Sequence, residues 1–169
     1  MTYPARSSAA AITRRETISN VIASAVIAGL IAWLAFRGAT AIEPFAKPPG
    51  GVFGIVPGTF NFSLLVTVVL TLILRRRFRG GPAFVTGSGE RSRRQLPANV
   101  VVRALVLAAG ATLLLVPATM LLIWLGTRAG LLPATWSASG MIAFFVVYFV
   151  LLTWALTPVI VKGALNDIK

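Results

Sequence analysis

Four stretches of this chain run without a charged residue for long enough to cross a lipid bilayer. The first, Ile18–Phe36 (ISNVIASAVIAGLIAWLAF), has nineteen residues, or about 28 Å of helix at roughly 1.5 Å per residue. A hydrocarbon layer about 30 Å thick calls for about 20 predominantly apolar residues. Ala104–Gly126 and Gly140–Val161 are longer still. The second run, Phe60–Leu74, is short and reaches span length by taking in residues just before it. Backbone in lipid must satisfy its own hydrogen bonds, so such spans are helical. The sequence therefore predicts an all-α membrane protein, a four-transmembrane-helix bundle with spans at about 18–36, 58–74, 104–126 and 140–161. These fall in a helical domain over residues 16–169, preceded by a polar tail over 1–15 and interrupted by a basic loop over 75–99.

Composition supports lipid as the solvent. The chain is 57% hydrophobic and 12% charged, against about 45–50% and about 25% in an ordinary globular domain. Its mean hydropathy is +0.86. A water-soluble surface cannot be built from so few charged groups.

Charge sets the orientation. Of the 16 basic residues, Arg6, Arg14, Arg15, the seven arginines from Arg75 to Arg94, Arg103, Lys162 and Lys169 fall on one side of the spans, and Arg37, Lys47 and Arg128 on the other. Basic residues in short loops stay in the cytoplasm, so both termini and the 75–99 loop are expected there. A net charge of +12 in a soluble protein would point to nucleic acid. Beside apolar spans, anionic lipid headgroups are the nearer partner, and no nucleic-acid recognition motif is present. The Ala- and Arg-rich composition suits a bacterial cytoplasmic (inner) membrane.

Thr17 or Ser19 is read as a cap of the first helix. Ala39-Thr40-Ala41 resembles a signal-peptidase site, but the long apolar run, Arg37 and the later spans favour a retained helix. Thr40–Thr59 carries four prolines and four glycines and reads as an apolar loop resting at the headgroup level or against helix ends. Pro117 predicts a kink in the third span.

Three features could carry function. Asn20, Ser24, Ala28 and Ala32 form a small-residue stripe on the first helix, suited to close helix contact within the bundle or with a partner. Thr59, Ser63, Thr67 and Thr71 form a hydroxyl ladder on the second, repeated in spacing by Thr153 and Thr157. Such a face either bonds its own helix and neighbours or lines a polar pathway. Arg75, Arg76, Arg77, Arg79, Arg91, Arg93 and Arg94 are read as a topology signal and as candidate contacts to anionic lipids. Trp33-Leu34 with Arg37 and Trp124-Leu125 with Arg128 mark two helix ends alike, as a duplicated hairpin or a common use of interfacial anchors would.

Absences exclude much chemistry. There is no Cys and no His, and the four acids, Glu16, Glu43, Glu90 and Asp167, all lie outside the spans. Proton- or cation-coupled exporters need an intramembrane carboxylate; membrane hydrolases and oxidoreductases need His, Cys or paired carboxylates. No nucleotide-binding glycine motif occurs, and no cofactor is expected. The expectation is a non-catalytic accessory or assembly protein acting through helix contacts with itself or a larger complex. The alternative is a subunit of an oligomeric transporter or channel lined by the hydroxyl face.

Overall fold

The computed structural model describes residues 9–45, 51–78 and 99–166. They form four helices: α1 (Ala9–Phe36), α2 (Ile55–Phe78), α3 (Val100–Arg128) and α4 (Ala138–Asn166), with one 3-10 turn, Val52–Gly54, leading into α2. Each is long and apolar enough to cross a membrane.

All four helices extend past the apolar runs read from sequence, and in two of them the extension changes the reading. α1 begins at Ala9, so Thr17 and Ser19 lie inside it and cap nothing; the alanines at its start are the strongest helix formers. α2 begins at Ile55, which makes the end of the expected Thr40–Thr59 loop helical. Pro57 is tolerated there because the missing N–H falls among the first-turn donors that have no helical acceptor. At its other end α2 continues through Arg75, Arg76 and Arg77, all good helix formers. α3 opens at Asn99, whose side chain accepts from Val101 N (2.9 Å) and Val102 N (3.4 Å). It then runs unbroken through Pro117.

Chain direction alternates. Glu16 near the start of α1 meets Arg77 at the end of α2, with Oε1 and Nη1 2.6 Å apart. At the opposite end Ile42 and Trp136 form a two-way backbone bridge, each N–H 2.8 Å from the other's carbonyl, which ties the α1–α2 connection to the α3–α4 turn.

The spatial order differs from the chain order. α1 packs on α4, α4 on α2, and α2 on α3. α2 and α4 are therefore inner helices and α1 and α3 outer ones, and each outer helix packs on the inner helix of the other hairpin. Gly54 and Gly58 let α2 and α4 approach: an added Cβ would stand 3.4 Å from the Phe145 ring and 3.0 Å from the Phe149 ring. Phe62 packs against Phe149 with the rings tilted by 57° and 5.0 Å between centroids.

Candidate functional site

Four-residue spacing puts Thr59, Ser63, Thr67 and Thr71 on one face of α2, and that face is turned entirely inward, each residue 0% exposed. Thr59 Oγ1 lies 2.7 Å from the Tyr148 hydroxyl of α4. Thr67 donates to the carbonyl of Ser63 at 2.7 Å, one turn back on its own helix. Ser63 Oγ and Thr71 Oγ1 have no hydrogen-bond partner among the described residues.

The small-residue stripe of α1 is buried over three of its four residues, with Asn20 half-buried. Ser24, Ala28 and Ala32 are enclosed, and Gly29 sits opposite Val146 of α4. Thr153 Oγ1 is 2.8 Å from Ser24 Oγ and 2.7 Å from the Phe149 carbonyl. Ser24 Oγ is 3.1 Å from that same carbonyl. Two hydroxyl protons thus serve three contacts across the α1–α4 seam. One turn further along, Asn20 Nδ2 and Thr157 Oγ1 are both enclosed without a partner among the described residues.

A repeat links the two inner helices. Leu64–Leu74 (LLVTVVLTLIL) and Val150–Ile160 (VLLTWALTPVI) share leucine at 65/151 and 70/156 and threonine at 67/153 and 71/157. Their environments match too. Thr67 and Thr153 each donate to the carbonyl four residues back, while Thr71 and Thr157 are each buried without a partner among the described residues. Leu74 and Ile160 are both fully buried. At the far ends of the outer helices, Arg37 lies over Trp33 and Arg128 over Trp124, each 5.5 Å from the ring centroid. Asn20 and Asn99, each followed by valine, are not equivalent: Asn99 caps α3, whereas Asn20 is interior to α1.

Two residues were not singled out from sequence. Tyr148 reaches across to Thr59, a pairing no spacing rule announces. Arg103 is fully buried in the first turn of α3. Its position beside Ala104 and Ala108, on the face that α3 turns to α2, was the available signal. Of the arginine cluster, Arg75 is half-buried and Arg76 and Arg77 are exposed, whereas Arg79, Arg91, Arg93 and Arg94 lie outside the described residues. No group of three or more His, Cys, Asp or Glu placed to hold a metal ion occurs among the described residues. No family model, no curated protein and no solved structure matches the chain.

Proposed function

We propose that this chain is a non-catalytic, multi-pass protein of a bacterial-type cytoplasmic membrane, with both termini and the basic 75–99 segment, which begins in the last turn of α2, in the cytoplasm. On this reading it acts as an accessory or assembly factor through helix contacts with a second copy or a larger membrane complex. The observation that carries the reading is the uncovered flank of α3. That helix packs chiefly on α2, and Leu113 and Leu114 are each 73% exposed. Pro117 is exposed too, and its ring removes the N–H that would serve the Leu113 carbonyl. A carbonyl left without a donor in lipid is costly. A partner helix with a hydroxyl or amide donor would satisfy it, and Gly110, with open space around its Cβ position, would let that helix come close. The lack of His, Cys and span carboxylates supports a role without catalysis.

The alternative, a transporter or channel subunit, draws support from the partnerless buried hydroxyls of Ser63, Thr71 and Thr157. One cysteine scan separates the two, since the chain has no cysteine of its own. With a benzophenone maleimide on Leu114→Cys in native membranes, irradiation is expected to give an adduct of defined mass, and none with Leu65→Cys on α2. If Gly110, Leu114 and Leu121 positions all give no adduct, the partner reading fails. Labelling of Thr71→Cys by a membrane-impermeant maleimide would establish a wet pathway and favour transport.

A further inference from the structure

Between α1 and α4, toward the basic end of the bundle, lies an open groove of about 580 Å³. Its wall is mainly apolar, with Ile18, Val21 and Ile22 from α1 and Trp154 and Pro158 from α4, and Thr17 and Arg14 complete it. A second depression on α1 shares Arg14, Ile18 and Ile22 with the first and adds Arg15 to the rim. Two apolar furrows therefore meet on one ridge below two guanidinium groups. The volume falls in the roughly 300–1,000 Å³ range of small-ligand sites.

We infer that this groove binds an anionic phospholipid, with the headgroup phosphate on Arg14 and Arg15 and an acyl chain along Ile18, Val21, Ile22 and Trp154. Charge decides the occupant. The acid next in sequence, Glu16, is taken by Arg77 of α2 at 2.6 Å, and neither Arg14 nor Arg15 has an ion-pair partner among the described residues. The rim is thus doubly positive with nothing among the described residues to balance it, and a zwitterionic headgroup would bring its own cation against that charge. This site is separate from the arginines that follow α2, and it does not depend on whether α3 has a protein partner.

Trp154 provides a local readout. A Trp33→Phe/Trp124→Phe/Trp136→Phe protein keeps Trp154 as its one tryptophan. It is reconstituted into phosphatidylcholine vesicles holding a minor fraction of phosphatidylglycerol, with bromine placed on the acyl chains of either lipid at the same mole fraction. Bromine on phosphatidylglycerol is expected to quench Trp154 more strongly than bromine on phosphatidylcholine. Adding Arg14→Gln should reduce that preference about fivefold, the effect of one basic group at an anionic surface. Adding Arg76→Gln, which removes an exposed arginine outside the groove, should leave it intact. Equal quenching by the two lipids, or no quenching by either, would overturn the assignment. So would an equal effect of Arg14→Gln and Arg76→Gln, which would mean diffuse attraction by net charge.

Discussion

The α1–α4 and α2–α3 seams are each built on the same inner-helix segment, one copy on α4 and the other on α2, yet they close differently. On α4 the segment meets a polar partner: Thr153 reaches Ser24 of α1 at 2.8 Å. On α2 it is enclosed between α3 and α4, Thr67 turns back to its own helix, and α3 contributes the buried alanines Ala104, Ala108 and Ala111 with Arg103 beside them. In lipid no hydrophobic force pulls helices together, so close packing of small side chains and hydrogen bonds between helices must do so. The first seam uses both. The second relies on close approach and places a fully buried guanidinium at its basic end. A repeated hydroxyl pattern is therefore not a repeated interaction; the facing helix decides what each hydroxyl bonds.

The strongest way to break this comparison is to wedge the first seam open. Ala28→Leu with Ala32→Leu puts branched side chains where α1 and α4 touch, at about 1–3 kcal/mol for each overpacked site. A large drop in the detergent melting temperature is expected, with little change for Val26→Leu on the exposed side of α1. Equal melting of the two variants would mean that the stripe is not a contact face.

The connections of the two hairpins offer a second contrast. Gly51 has φ 70 and ψ −163, a region almost exclusive to glycine, and an added Cβ would overlap the Pro44 carbonyl oxygen and lie 2.8 Å from that of Glu43. Gly130 has the same φ of 70 but open space around it. Gly51→Ala should cost about 1–3 kcal/mol from the backbone alone, with the carbonyl overlap pushing it toward the upper end. Gly130→Ala should cost about 1 kcal/mol, the left-handed penalty by itself. Denaturant titration in mixed micelles would read both, and a larger loss at Gly130 would contradict the tight packing of the first connection.

The smallest effect is the sharpest test of the repeat. Thr153→Val removes a hydroxyl that bridges two helices, and hydrogen bonds between membrane helices average about 0.6 kcal/mol. Thr67→Val removes only a bond to the helix's own backbone, so its cost should be near zero. Matching losses in a steric-trap or thermal assay would erase the distinction between the seams.

Much of this architecture is legible from local composition. The absence of charge over each run, with Arg37, Arg75 and Arg128 at the run ends, is enough to locate four helices. Stripe and ladder follow from four-residue spacing alone. Helix ends are less legible. The first turn of α2 hides behind Pro57 and Gly58, because a breaker in the first turn of a helix looks the same in sequence as one in a loop. The repeat in α2 and α4 is a middle case: its threonine spacing is visible, but matched burial and matched bonding are what make it more than spacing.

The sequence by itself determined that this chain makes four apolar helices with small and hydroxyl-bearing faces, because helix formation in a span depends on residues within a few turns of each other. The tertiary structure alone decided that α1 lies against α4 rather than beside its chain neighbour α2. It decided equally that Thr59 meets Tyr148 and that Arg103 is enclosed while Arg14 stands on the rim of a groove. These outcomes depend on which surfaces fit closely across the bundle. In lipid, where every helix is already surrounded by apolar contact, partner choice turns on the shape of a few small residues and the reach of a few polar atoms.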